Sequence, residues 1–204
     1  MKGGCRYGMP QQILCDNGPC WSARGLGLSG LEAWLVRLNV DVIHGRPYHP
    51  QTQGKEERFH RTLKAEVIST RQNWNDLGHC AEAFAKWQEV YNFERTHESN
   101  NDEIPGDHYH PSDRCYAEEM ESVEVDSHYL DRDLKRKVDR SGNISLKGCL
   151  YYVGVGLHGD RVGLRANSEG YTVYYGWKLL GLIDPKTEAK KKGRSTAMRE
   201  VGSD

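Results

Sequence analysis

The apolar residues of this chain change their spacing near Arg136, and that change limits the folds that the sequence can adopt. Before Arg136 they recur at helical intervals, whereas beyond it they alternate with polar or small residues, which is typical of strands. The alternating positions are Ile144, Leu146, Val162, Leu164, Tyr171, Val173, Tyr175, Leu180 and Leu182. Glycine-containing turns separate them, as at residues 141–143. About five or six short strands in so short a stretch predict a small β-barrel.

The first part of the chain has the order of elements of an α/β fold. The apolar run Gln12–Cys15 ends in Asp-Asn-Gly-Pro, which predicts a buried strand stopped by a turn. A helix over 31–38 with Ser29 as its N-cap and a strand over 40–44 follow. Asp16 would lie at the carboxyl end of the first strand, where α/β sheets place ligands. Turn formation alone is the other interpretation of Asp16.

A second helix is predicted to begin near Gly54 and to have two different faces. At the angular step of an α-helix, Glu57, Arg61 and Lys64 fall on one face. The opposite face carries the apolar residues Phe59, Leu63 and Val67. A loop with two prolines precedes the helix and ends at Gln53. A carboxylate and cations at the base of such a loop suggest a nucleic-acid reaction site, and a solvated charged face is the alternative.

Two motifs together resemble the catalytic core of retroviral-type integrases and insertion-sequence transposases. The first is Asp16-Asn17-Gly18, and the second is Gly54-Lys55-Glu56-Glu57-Arg58. The segment 91–97 is also similar to the Tyr-Asn-x-x-Arg-Pro-His segment of these transposases, with Thr96 in place of the proline. The resemblance implies a ribonuclease H-like fold with an Asp-Asp-Glu metal triad, in which Asp16 matches the second Asp and Glu57 the Glu. No residue matches the first Asp, so the resemblance implies the C-terminal part of a transposase.

The resemblance also implies cofactors, partners and further site residues. Asp16 and Glu57 would both be catalytic and would bind two Mg²⁺ ions, or Mn²⁺ as a substitute. Arg61 and Lys64 would hold DNA phosphates. Gln53 is a further candidate for DNA contact, with ordinary loop polarity as the alternative. The expected partners are DNA, as transposon ends and target, and either a second copy of the chain or a complementing transposase segment.

Charge is segregated along the chain, although the formal net charge is only −1. Residues 113–133 contain eight acidic and two basic residues, whereas residues 135–184 contain eight basic and four acidic residues. A basic module after an acidic connector points to a polyanion partner. Arg161 and Arg165 alternate with apolar positions, so they would point away from the apolar face and be available to DNA phosphates. A protein-contact module whose cations only keep it soluble is the alternative.

The predicted fold class is therefore α/β, a partial ribonuclease H-like integrase core followed by a small C-terminal β-barrel. The predicted boundaries are 1–112 for the core, 113–133 for the connector, 134–184 for the barrel and 185–204 for a disordered basic tail. The sequence contains no apolar run long enough to span a membrane and no apolar signal segment. Its six cysteines form no paired motif. These features predict a cytoplasmic protein without a membrane partner.

Three functions remain open from the sequence. The first is polynucleotidyl transfer in DNA transposition by an enzyme of which this chain is a truncated part. The second is a catalytically inactive, truncated transposase that binds DNA or another transposase as a regulator. The third is a glycosidase with Asp16 and Glu57 as acid and base. The glycosidase is disfavoured because sugar sites usually carry stacked aromatic residues, and only Tyr48 is available nearby.

Overall fold

The structure, a computed structural model, describes residues 7–16, 18, 27–45, 54–70, 73–122, 125–185 and 195–199. The chain divides into two compact units, of which the first combines Met1–Gly45 with Asp113–Asp204 and the second is Arg46–Ser112. The division into four segments that the sequence predicts concerns which parts fold independently, and it stays a prediction. Within the described ranges, no helix is long and apolar enough to cross a membrane.

The first unit begins with a parallel β–α–β arrangement. Strand β1 (Gln12–Cys15) pairs in parallel with β2 (Asp41–His44), and helix α1 (Gly30–Arg37) lies between them in the chain. The helix starts with a capping box, in which the Ser29 side chain accepts the Glu32 N–H and the Glu32 carboxylate accepts the Ser29 N–H. The positions of both predicted strands and the predicted N-cap are confirmed. The predicted burial of the first strand is wrong, because only Cys15 of β1 is buried and Leu14 is 51% exposed.

From residue 134 onward the first unit contains two sheets, which we call the β-module. The first sheet has four antiparallel strands in the order β3 (Leu134–Lys137), β6 (Arg161–Asn167), β7 (Gly170–Tyr175) and β8 (Lys178–Ile183). The second sheet contains β4 (Asn143–Leu146), β5 (Cys149–Tyr152) and β9 (Ser195–Ala197). Strand β9 runs parallel to β5, whereas β4 and β5 are antiparallel.

The predicted closed barrel is not found among the described residues, where the β-module is split into two sheets. Strands β4 and β5 form a hairpin around Lys147 and Gly148, whose φ angles of 51° and 79° are both left-handed. Their ladder continues to β9 rather than to β3, and a bridge between Leu182 and Arg199 links the two sheets. The alternating pattern specifies which face of a strand is buried but not which strand lies next to it. The mixed α/β class is confirmed, and the ribonuclease H-like strand order stays a prediction.

Helix α1 supplies side chains to both hydrophobic cores of the first unit. Ala33 and Val36 are buried in the core of the β-module. Leu35, on another face of the helix, is buried with Cys15 of β1 and Val42 of β2. The sheet residues that share a core with Ala33 and Val36 include Ile144, Tyr151, Val162 and Val173. The β-module and the β1–α1–β2 segment therefore fold as one unit, with α1 between them.

Polar side chains add to the contact between α1 and the β-module. The buried Tyr175 hydroxyl donates to Asp160 Oδ2 (2.7 Å) and accepts from Arg37 Nε (2.9 Å), while Arg37 also forms an ion pair with Asp160. Burial, followed by the hydrogen bond to Asp160, raises the pKa of the Tyr175 hydroxyl above its ordinary value. The hydroxyl therefore stays protonated and remains a donor. Lys178 of β8 forms a further ion pair with Asp41 at the start of β2.

The second unit contains the helices α2 (Gly54–Leu63) and α3 (Leu77–Phe93). Helix α2 continues into a π-helical turn over Lys64–Ile68, in which the Ser69 N–H donates to the Lys64 carbonyl at 2.7 Å. The predicted start near Gly54 is confirmed. The regular α-helical step assumed beyond residue 63 is wrong, because the π turn is wider than an α-helical turn.

Glu66 in the π turn connects α2 to α3 and the segment after it. Its carboxylate accepts hydrogen bonds from Trp87 Nε1 (2.7 Å) and Arg95 Nη2 (3.0 Å). The Trp87 bond, with that of Arg95, holds the pKa of Glu66 below its usual value. Val67 is buried in the same turn. These contacts outside the helix offset the poorer hydrogen-bond geometry of the π turn.

Candidate nucleic-acid reaction site

Asp16 lies directly after β1, at the carboxyl end of the parallel strand pair, as the sequence predicts. Its side chain is exposed, and Oδ1 accepts the Gly18 N–H at 3.0 Å. One oxygen of the Asp16 side chain, Oδ1, therefore stabilises the turn, as the turn interpretation predicts. A carboxylate has further lone pairs on its second oxygen, so the same side chain can also serve as a ligand.

His44, which the sequence analysis did not select, lies next to Asp16 and contacts a second such residue, Glu32. His44 ends β2 opposite Cys15, and its Nδ1 lies 3.2 Å from the Asp16 carbonyl oxygen. Its Nε2 lies 2.8 Å from Oε1 of Glu32, a buried carboxylate in the first turn of α1. The strand–helix–strand order in the sequence is the signal that could have pointed to His44, because the parallel strands of such a unit end at the same edge of a sheet.

Glu57 is exposed on α2, in the second unit, with Arg61 exposed one turn further along the helix. Phe59 is half-buried on the other side of the helix. Its ring centroid lies 5.4 Å from that of Trp87 and 5.3 Å from that of Tyr91, both in α3. The predicted division of this helix into a charged and an apolar face is therefore confirmed.

The remaining residues predicted around Glu57 have different outcomes. Lys64 is exposed at the start of the π turn. Gln53 lies outside the described residues. Asp16 belongs to the first unit and Glu57 to the second, so their convergence on one metal site stays a prediction.

The tertiary structure pairs both predicted phosphate contacts of the β-module with carboxylates of the connector. Arg165 donates from Nε (3.1 Å) and Nη2 (2.9 Å) to Asp133, whose side chain is only 1% exposed. The Arg165 guanidinium also lies over the Tyr174 ring, 4.7 Å from its centroid. Arg161 pairs with Asp126 at 3.1 Å but keeps 60% of its side chain exposed. Arg165 is thus held in a structural pair, whereas Arg161 remains accessible.

Two segments of the chain match known protein families. Residues 38–105 match the integrase core domain, and residues 133–191 match the C-terminal domain of IS481 family transposases. The two matches together support an integrase- or transposase-type fragment. Domains of these families bind DNA and act in its integration and transposition, and integrase-type cores generally depend on divalent metal ions. Glu57 lies inside the first match, Asp16 lies before it, and the second match contains strands β3 to β8.

Curated relatives of this integrase-type chain include retroviral proteins. An IgE-binding protein of Mus musculus is 35% identical over 66 residues, which is 32% of this chain and 11% of the relative. The Intracisternal A-particle Pol-related polyprotein of Mouse intracisternal a-particle MIA14 is 31% identical over 71 residues, 35% of this chain and 8% of the relative. The Gag-Pro-Pol polyprotein of Mouse mammary tumor virus (strain BR6) is 35% identical over 60 residues, 29% of this chain and 3% of the relative. The chain thus spans only a small part of the relatives that it matches.

Proposed function

We propose that this chain takes part in DNA integration or transposition and supplies Asp16 and Glu57 to a two-metal Asp-Asp-Glu site. The observation that carries the proposal is the setting of Glu57 within the matched integrase core segment. Glu57 and Arg61 are exposed on one face of α2, while Phe59 anchors the other face on α3. The exposed carboxylate of Asp16 at the end of β1 supports the same role.

The donor set suits hard divalent cations. Carboxylate oxygens are the ligands that Mg²⁺ prefers, and Mn²⁺ takes the same donors. Oδ1 of Asp16 accepts the Gly18 N–H, so Oδ2 would coordinate the cation. When bound, a pair of such ions activates the attacking oxygen and stabilises the leaving oxygen of phosphoryl transfer. The remaining Asp of the triad would come from a complementing transposase segment.

The basic residues beside the carboxylates would hold the DNA. Arg61 and Lys64 are exposed and would contact phosphates that flank the reacting bond, and Gln53 would contact DNA from the preceding loop. In the β-module, Arg161 is a stronger candidate for phosphate contact than Arg165. Two donor nitrogens of Arg165 already bind Asp133.

If Asp16 and Glu57 share a metal site, Mn²⁺ should bind to both carboxylates at the same concentration. In a Mn²⁺ titration of the isotopically labelled full chain, amide signals around both residues should broaden over the same range of metal concentration. Asp16→Asn should weaken the apparent Mn²⁺ affinity reported around Glu57 by at least about tenfold, because a shared ion loses one ligand. Glu56→Gln, at the neighbouring exposed carboxylate, is the matched control and should change neither signal. Broadening around Glu57 that is unaffected by Asp16→Asn would contradict the shared site.

A catalytically inactive chain that binds DNA or a transposase as a regulator is the second candidate function. One observation favours it: Arg161 is exposed in the β-module, which matches a transposase C-terminal domain, and binding through such a cation needs no metal ion. The Mn²⁺ titration separates the two candidates, since a regulator requires no shared metal site.

Both candidate functions predict electrostatic binding of DNA. The full chain should bind a duplex of random sequence, and log K should fall with log salt at a slope of roughly −4 if about four or five phosphates are engaged. Arg161→Gln and Lys137→Gln remove exposed cations of the β-module and should each reduce the slope by about 0.9. Arg132→Gln, in the acidic connector, is the control and should leave it unchanged. A flat salt dependence, or no binding at low salt, would exclude this role.

A further inference from the structure

A series of polar contacts links the start of α1 to the end of β1. Glu32 is 5% exposed and uses its two carboxylate oxygens for different partners. Oε2 accepts the Ser29 N–H at 2.7 Å and completes the helix cap, while Oε1 lies 2.8 Å from His44 Nε2. The helix cap needs only the first of these bonds. The contact with His44 therefore calls for a separate explanation.

His44 stands between the buried carboxylate and the backbone of Asp16. Its Nδ1 lies 3.2 Å from the Asp16 carbonyl oxygen. The two ring nitrogens therefore face two acceptors, the Glu32 carboxylate on one side and the Asp16 carbonyl on the other. The backbone of His44 is held beside β1, since His44 is paired with Cys15 in the β1–β2 ladder and the Gly45 N–H donates to the Cys15 carbonyl at 3.0 Å.

Asp16 is consequently held at two points. His44 lies against its backbone oxygen, and the Gly18 N–H holds its Oδ1. Rotation about the Asp16 side chain would break the second contact, and displacement of its backbone would break the first. The two contacts together restrict the directions in which the remaining oxygen, Oδ2, can face.

We propose that His44, held by Glu32, is a positioning residue that orients Asp16. The inference rests on the proposed role of Asp16 as a metal ligand. His44 contacts the backbone of Asp16 and not its carboxylate, so it acts through Asp16. Residues that orient a metal ligand through hydrogen bonds typically change metal affinity by about tenfold or more when they are replaced.

The test compares variants of the full chain that retain or remove the contact with Asp16. His44→Phe removes both ring contacts. His44→Asn keeps an N–H donor at the position of Nδ1 and loses the contact with Glu32. His108→Phe is the matched control, because His108 belongs to the second unit and contacts Glu103 at 2.7 Å. The readouts are the NMR order parameter of the Gly18 amide without metal, the Mn²⁺ affinity reported by the same amide, and the thermal unfolding midpoint.

We expect His44→Phe to lower the Gly18 order parameter from about 0.85 to below about 0.6. It should also weaken Mn²⁺ binding at Asp16 by about tenfold. His44→Asn should restore most of both values, and His108→Phe should change neither. A merely structural role would lower the unfolding midpoint of His44→Phe and His44→Asn alike without this selective recovery.

Two results would overturn the inference: an unchanged Gly18 order parameter in His44→Phe, or no recovery in His44→Asn. If His44→Phe does not fold, His44→Leu, which has nearly the shape of asparagine but no N–H donor, should show the same loss of order at Gly18. The order parameter is measured without metal, so it tests His44 independently of the proposed function. Absence of Mn²⁺ binding at Asp16 in the unmodified chain would instead contradict the proposed function.

Discussion

Gly156→Ala is expected to lower the free energy of unfolding of the first unit by about 3 kcal/mol or more. A Cβ atom at Gly156 would lie 2.2 Å from the carbonyl carbon of Ser29 and 2.4 Å from the nitrogen of Gly30. Both are backbone atoms at the start of α1, so no side chain can rotate to relieve the overlap. The substitution should force α1 away from the β-module, and urea unfolding followed by circular dichroism measures the loss.

Gly30→Ala is the matched control for this prediction. It lies at the same contact, but a Cβ there would meet nothing within 4 Å. Because Gly30 is the first residue of α1, alanine should leave stability unchanged or raise it by up to about 1 kcal/mol. Equal stabilities of the Gly156→Ala and Gly30→Ala variants would show that α1 does not pack against the β-module as described.

Arg165→Gln is expected to cost about 3 kcal/mol of stability, because it leaves the Asp133 carboxylate buried without its ionic partner. The control is Arg161→Gln, which removes an ion pair whose arginine is 60% exposed. Exposed pairs of this kind are worth at most about 1 kcal/mol. Urea unfolding of the two variants at neutral pH gives both values. Similar losses for the two variants would contradict the structural role assigned to the Arg165–Asp133 pair.

The same pair makes stability depend on pH. The Arg165 hydrogen bond is the main cause that lowers the pKa of Asp133 in the folded unit below its ordinary value of 3.8. A lowered folded pKa contributes stability that is present above the unfolded pKa and is lost as the pH falls through the folded value. Below about pH 4 the unfolding free energy should therefore fall more steeply for the unmodified chain than for Asp133→Asn. Parallel curves would show that Asp133 is not stabilised as a carboxylate.

The ion pairs of Arg161 and Arg165 also change the interpretation of the positive charge in the β-module. The sequence separates an acidic connector from a basic module, and this separation points to a polyanion partner for the module. In the fold, Asp126 and Asp133 of the connector form ion pairs with Arg161 and Arg165. These pairs neutralise part of the positive charge of the β-module. The DNA binding proposed for the β-module would therefore depend on its exposed cations rather than on its total number of basic residues.

Features set by neighbouring residues could be predicted from the sequence alone. The strand before Asp16, the Ser29 capping box, the start of α2 and its two faces follow from turn chemistry, capping and periodicity within a few residues. The placement of Asp16 at a strand end followed from the same local pattern. The motifs at Asp16 and Glu57 identified the family, which the matched integrase and transposase domains confirm.

Features that depend on distant residues were decided only by the tertiary structure. These are the burial of α1 in the core of the β-module, the pairing of Arg165 with Asp133, the π turn at Glu66 and the division of the β-module into two sheets. His44 became a candidate only when the ladder placed it opposite Cys15. The physical reason is common to all of them. Periodicity reports which side of an element is apolar, whereas the partner of that side depends on packing and charge between segments that are far apart in the chain.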